Sequence, residues 1–378
     1  MIYLDNSATT LKKPDSVIQA VMDALNHIGN PDRGVHEASL ESSQLLFKTR
    51  QLLCEFFNGE QSSQIVFTSG ATESLNLVIN GLHEKGDHVI TTMMEHNSVL
   101  RPLYRLEAQQ IIELTILPVD EKGCISYKGL EEAIQLNTKS LIISHGSNVT
   151  GNSVNLEKIG KIAAKNDVIF IVDSAQSAGT LPIDIQKQQI DILCFTGHKG
   201  LFGPQGTGGL YVNPMISLKP LKVGGSGIAT FSKTHPTTMP TALEAGTLNG
   251  HGIAGLKAGI EFILNKTLQS IHQHEMSLVQ LFYEEVCQID GVTVYGDFTT
   301  KARCPIVSLT IGEEDSSEIS DRLASDYGIA TRSGGHCAPL IHEALGTKEQ
   351  SVVRFSFSYF NTEEEVLAAI QALKEIAQ

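Results

Sequence analysis

Residues 168–212 read VIFIVDSAQSAGTLPIDIQKQQIDILCFTGHKGLFGPQGTGGLYV. The apolar runs Val168–Asp173, Ile192–Thr196 and Gly209–Val212 are short and bounded by polar or glycine-rich turns, so they read as buried strands. Upstream, the same texture places strands at Ile65–Thr68, His88–Thr92, Leu114–Pro118 and Ser140–His145. Helix-like stretches such as Thr72–Leu82 and Leu156–Asn166 separate them. This alternation predicts parallel strands joined by crossover helices, with functional residues at the carboxyl ends of the strands. That rule directs attention to Ser69–Thr72, Glu95–His96, His145–Asn148, Asp173–Gln176 and Thr196–Lys199.

After about residue 255 the texture changes. A helix over Gly255–Leu264 leads to strand-like segments at Val292–Tyr295 and Ile306–Ile311. In the terminal stretch Asn361–Ala377, Thr362 and Glu365 have capping-box spacing, and Val366, Ile370, Leu373 and Ile376 form one apolar face. The expected division is a large α/β domain over 15–262 and a smaller α+β domain over 263–378, with 1–14 packing onto the smaller one.

Composition narrows the function. Of 378 residues, 41% are hydrophobic and 19% charged, an ordinary globular balance. A net charge of −14 argues against nucleic acid and anionic membrane partners, though a local pocket can still take an anionic small ligand. The N-terminal MIYLDNSATT lacks the features of a signal peptide, and no run is long enough to span a membrane. The six cysteines form no CxxC pair, so no dithiol redox motif or metal ribbon is expected. A cytoplasmic protein with thiols mostly serving as buried filler is expected.

Several strand ends carry chemistry. Lys199 follows Ile192–Thr196, and a partly desolvated lysine there has a lowered pKa and can form a Schiff base with a carbonyl. The glycines from Gly200 to Gly209 would let the backbone pass close to a bulky group. Asp173, 26 residues earlier, ends another buried run and suits a protonated pyridine nitrogen. Ser69-Gly70-Ala71-Thr72-Glu73 opens a helix and reads either as an anion site or as a plain N-cap by Ser69 or Thr72. No Walker lysine follows, and the Gly203–Gly209 run has the wrong order for a dinucleotide fingerprint and lies too late in the chain, which disfavours an NAD-dependent oxidoreductase. His96 is suited to stacking or proton transfer. In Arg332-Ser333-Gly334-Gly335-His336-Cys337, the glycine pair suggests a flexible loop, and His336 is placed to favour a Cys337 thiolate. Arg354, amid apolar residues, needs an anion, and a substrate carboxylate fits.

Together these elements resemble class V aminotransferases, and within them the cysteine desulfurase and selenocysteine lyase family. The resemblance is carried by VDSAQSAG at 172–179, TGHKGLFGPQGTGG at 196–209, EAGTLN at 244–249 and GGHCAP at 334–339, the last pointing to the branch with a compact cysteine loop. It implies a fold-type I enzyme whose large domain holds a mostly parallel seven-stranded sheet with the last strand antiparallel. It implies pyridoxal 5′-phosphate on Lys199, Asp173 at the pyridine nitrogen, Gln176 near the ring hydroxyl and His96 stacked on the ring. Ala71, Thr72, Thr196 and His198 would hold the phosphate, with Thr247 reaching across a homodimer. Asn148 and Arg354, with Arg332 beside them, would hold the substrate carboxylate, and Cys337 would accept sulfur. L-cysteine and L-selenocysteine both remain open as substrate, as does a protein acceptor of the sulfur or selenium. Another class V aminotransferase, a β-eliminating lyase and a catalytically silent cofactor-binding scaffold are the alternatives.

Overall fold

Short runs of β-branched and aromatic residues, apolar on both faces, make strands that must be covered by helices on both sides. In the computed structural model, which describes residues 1–31, 34 and 36–378, seven such strands form one sheet. In chain order they are Ile65–Thr68, Asp87–Thr92, Ile112–Leu117, Thr138–Ser144, Ile169–Asp173, Ile192–Thr196 and Gly208–Val212. Across the sheet they run first, seventh, sixth, fifth, fourth, second, third. The last strand is antiparallel to both of its neighbours, and the remaining pairings are parallel.

The glycines of that last strand serve packing. A Cβ on Gly208 would lie 2.6 Å from Gly70 Cα, and one on Gly209 would lie 2.5 Å from Val66 O. Only a glycine admits the neighbouring backbone at that distance. The expectation that the run from Gly200 to Gly209 serves a bulky ligand is therefore corrected: of these glycines, Gly206 lines the cavity described below.

A second, antiparallel sheet places Ile306–Ile311 between Val292–Tyr295 and Val353–Ser356. Its own core includes Phe282, Leu309, Phe355 and Leu373. The terminal helix Glu363–Ile376 begins with the Thr362–Glu365 capping box and buries Val366, Ile370, Leu373 and Ile376. The N-terminal segment spans both units. Ile2–Tyr3 pairs with Ile329–Ala330, Leu4 enters the second core, and Thr10 N–H donates to His198 O at 3.1 Å. Helix Gly250–Lys266 runs through residue 262, and we propose that the domains divide after it.

Glu275 is a group that this packing leaves exposed to pH. It sits buried on helix Leu268–Val286, and its Oε2 has no partner among the described residues. Burial pushes its carboxyl up to about 8, against a bond from the Tyr359 backbone. The native state therefore keeps a proton that the unfolded chain, with an ordinary carboxyl near 4.5, releases. Stability falls as pH rises between those two values. Glu275→Gln, which is permanently neutral, should flatten this slope in urea titrations at pH 5 and pH 8.5 (about 1.4 kcal/mol per pH unit at most). Parallel slopes in the two proteins would show that Glu275 does not titrate there.

Candidate active site

Strands Ile169–Asp173 and Ile192–Thr196 are parallel neighbours, so their carboxyl ends meet at one edge of the sheet. Asp173 sits in register between Ser144 and Cys194, and Lys199 follows three residues after the second strand. This edge opens into a cavity of about 330 Å³, within the range of small-molecule sites. Ala71, Thr72, His96, Asn148, Asp173, Gln176, Thr196, His198 and Lys199 all line it.

The peptide before Lys199 is held from the N-terminal segment. His198 O accepts from Thr10 N–H at 3.1 Å, Thr10 Oγ1 at 3.1 Å and Lys13 Nζ at 3.0 Å. Burial, with Arg354 adding to it, lowers the Lys199 ammonium to about 8, while Asp173 opposes the shift. Asp173 is itself buried, which raises its carboxyl. A 2.9 Å bond from Ala175 N–H and the charge of Lys199 pull the other way. Gln176 lines the same wall, with Nε2 donating to Ser7 O at 3.1 Å.

His96 caps helix Asn97–Ala108. Its Nδ1 accepts from Ser98 N–H at 3.0 Å, so the ring hydrogen of the neutral form sits on Nε2. Burial, then the charges of Lys199 and Arg332, lower it to about 4. The preceding Glu95 was not singled out by role from the sequence. It is fully buried and accepts from Thr92 Oγ1 at 2.8 Å and from Ser144 Oγ at 2.6 Å, tying two strand ends together.

At the other end of the cavity, helix Ala71–Leu82 begins at Gly70 without a side-chain cap, which corrects the plain N-cap reading. Ser69 is diverted: its N–H and Oγ both donate to Glu73 Oε2, at 2.7 and 2.6 Å. Gly70 takes φ of 152°, and the first-turn N–H groups of Ala71 and Thr72 have no partner inside the helix. His198 Nδ1 is buried and unpartnered among the described residues. Free donors at a helix N-terminus favour an anion. Thr247 lies in an adjoining cleft that shares Ser69, Glu73 and Gly206 with this one.

Cys337 and the two arginines do not line the cavity itself. Cys337 is exposed, and its carbonyl accepts from Asn97 N–H at 2.7 Å, one residue from His96. Arg354 is buried and already has an anion: Nη2 donates to Asp5 Oδ1 at 2.8 Å, and Nη1 donates to Asn148 O at 2.9 Å. Arg332 pairs with it through the backbone, Arg354 N–H donating to Arg332 O at 2.8 Å. His336 does not support a thiolate as expected. It is buried, its Nε2 lies 3.3 Å from Val352 O, and burial followed by the charge of Arg354 lowers it to about 2. A neutral ring supplies no positive charge to Cys337. Cys54, Cys194 and Cys304 are buried filler as expected, Cys124 is partly buried, and Cys287 is exposed.

The aminotransferase class-V family profile matches residues 2–368, and the chain belongs to this family. A probable cysteine desulfurase of Methanothermobacter thermautotrophicus is 33% identical over 388 aligned residues, covering all of this chain and 94% of that protein. The structure of a cysteine desulfurase from Thermococcus onnurineus matches all of this chain and 94% of its own, with a TM-score of 0.92 and 33% identity. The cysteine desulfurase CsdA of Escherichia coli matches 99% of this chain and 94% of its own, with a TM-score of 0.88 and 27% identity. The fold is thus that of the cysteine desulfurases, as the sequence motifs imply.

Proposed function

We propose that this protein is a pyridoxal 5′-phosphate-dependent cysteine desulfurase that converts L-cysteine to L-alanine and keeps the sulfur as a persulfide on Cys337. The observation that carries this is the bond from Asn97 N–H to Cys337 O, which ties a thiol-bearing turn to the residue between His96 and Ser98, both of which line the Lys199–Asp173 cavity. A transaminase or a β-eliminating lyase needs no thiol there.

The residues fit the cofactor. Lys199 offers a buried amine of lowered pKa, and Asp173 a buried carboxylate for the ring nitrogen. The ring of His96 is available for stacking. Ala71, Thr72, Thr196 and the unpartnered His198 Nδ1 form a donor-rich end for a phosphate. We assign Gln176 to the ring hydroxyl and Thr247 to the phosphate of the neighbouring subunit in a homodimer. When bound, the group supplies an electron sink for a carbanion at Cα.

The chain's own groups supply the rest. Asn148 and Arg354, with Arg332 beside them, anchor the substrate carboxylate. Lys199 Nζ takes the Cα proton. His96 donates from Nε2 and cannot take a proton at Nδ1 without losing Ser98. The Cys337 thiolate attacks the substrate sulfur, the Cβ–S electron pair stays with Cβ, and Cβ takes up a proton. Sulfur then waits on Cys337 for an acceptor. L-selenocysteine fits the same anchors. Among the described residues no helix is long and apolar enough to cross a membrane, which accords with a cytoplasmic location.

The direct test is alanine release from L-cysteine and L-selenocysteine, assayed side by side with and without reductant. Pyruvate and ammonia in place of alanine would select the β-lyase reading. Asp173→Asn should keep the thermal transition and lower kcat about a hundredfold, since the charge that holds the ring nitrogen protonated is gone. A wild-type kcat in that variant would mean that Asp173 does not face the ring.

A further inference from the structure

The turn that carries Cys337 is bent in a way that side chains resist. His336 and Cys337 are consecutive non-glycine residues with φ of 47° and 56°. This left-handed region crowds Cβ against the backbone, and it persists only where surrounding bonds enforce it. Two bonds do so here, one from Asn148 in the cavity wall and one from Asn97, the residue between cavity-lining His96 and Ser98. Asn97 N–H donates to Cys337 O at 2.7 Å, and Asn148 Nδ2 donates to His336 O at 2.7 Å. The residues on either side of the exposed Cys337, His336 and Ala338, are both buried.

Asn148 is the joint between this turn and the arginine. Its carbonyl accepts from Arg354 Nη1 at 2.9 Å while its amide serves the turn, and the residue lines the cavity. Asn148 Nδ2 carries two hydrogens, so a ligand carboxylate parts it from His336 O only by turning the amide toward itself. With that bond gone, the strained pair keeps the bond from Asn97 N–H, the turn's own bond from Ala338 N–H to Gly335 O at 2.9 Å and the 3.3 Å contact of His336 Nε2 with Val352 O, so its hold is weakened on the Asn148 side.

We propose that Asn148 is the positioning residue of Cys337: its amide holds the strained turn while the site lacks a carboxylate, and an arriving carboxylate claims that amide and frees the thiol to advance. The release step rests on the reading of Asn148 and Arg354 as the carboxylate anchor. The holding step rests on the observed bond alone. The arrangement ties the movement of the thiol to the presence of a substrate that carries the sulfur.

The test is alkylation of the holoenzyme by iodoacetamide, followed by peptide mass spectrometry. Exposed Cys287 serves as the internal reference. L-alanine is the probe ligand, since it has the carboxylate and no sulfur. In wild type, saturating L-alanine should raise the Cys337 rate, relative to Cys287, about tenfold. Asn148→Ala should show the raised rate without ligand and no further response to it. An Asn148→Ala rate ratio equal to that of ligand-free wild type overturns the proposal, and so does a parallel rise at both cysteines, which would signal general loosening. A wild-type ratio that stays flat or falls, while equilibrium dialysis shows L-alanine bound, overturns the release step. If dialysis shows no binding, the carboxylate reading fails and takes the release step with it, while the ligand-free variant still decides whether Asn148 holds the turn.

Discussion

Lys199→Ala should release no alanine from L-cysteine, a fall of roughly a thousandfold or more, and should lose its cofactor on gel filtration. In the proposed function, Asp173 and the phosphate end of the cavity bind the cofactor only non-covalently, and no other lysine is among the described residues that line the cavity. Borohydride treatment of wild type, followed by peptide mass spectrometry, should leave the cofactor's mass on the peptide containing Lys199. The neutral amine is the reactive form, and burial brings the ammonium down to about 8. Capture of added cofactor by the stripped protein should therefore quicken as pH rises through 8 and level off above it. Borohydride labelling of a different lysine, or an active Lys199→Ala, would remove the basis of the functional reading.

The centre of this site was legible in the sequence because its parts obey local rules. Ile192–Thr196 has the bounds its apolar run suggests, and so do Val292–Tyr295 and Ile306–Ile311. Each strand end delivers its next residues to the same edge, so Asp173 and Lys199 could be brought together without knowing any tertiary contact. What local pattern cannot reveal is a partner supplied from far along the chain. Asp5 meets Arg354 across almost the whole sequence, so the anion that Arg354 needs was assigned only to substrate. Glu73 intercepts Ser69, which turned an apparent N-cap into an uncapped helix start. His336 looked like a thiolate partner because it adjoins Cys337 in sequence, yet the turn buries its ring while leaving the thiol in solvent. Glycine clusters misled for a related reason: the absence of Cβ serves a neighbouring strand as readily as a ligand.

Cys337→Ala separates desulfuration from the other chemistries available to this family. In the proposed function, cofactor binding depends on Lys199, Asp173 and the anion end of the cavity, and among the described residues none of these is hydrogen-bonded to Cys337. The variant should therefore take up cofactor normally and still change its absorbance when L-cysteine is added. Its alanine release from L-cysteine should fall by roughly a hundredfold to a thousandfold or more, because no other thiol is placed to receive the sulfur. Cys304 borders the site, with its Sγ 3.5 Å from Gln176 O, but burial pushes that thiol up to about 12. A thiol protonated at neutral pH is a poor nucleophile. Selenocysteine sets the contrast. Its weaker carbon–selenium bond and more acidic selenol reduce the need for a protein nucleophile, so activity on it should survive in part. Wild type treated with L-cysteine without reductant should gain the mass of one sulfur on the peptide containing Cys337, and the variant should gain none on any peptide. A variant that releases alanine from L-cysteine at the wild-type rate would make the thiol a bystander; pyruvate and ammonia in its place would hand the function to the β-lyase reading.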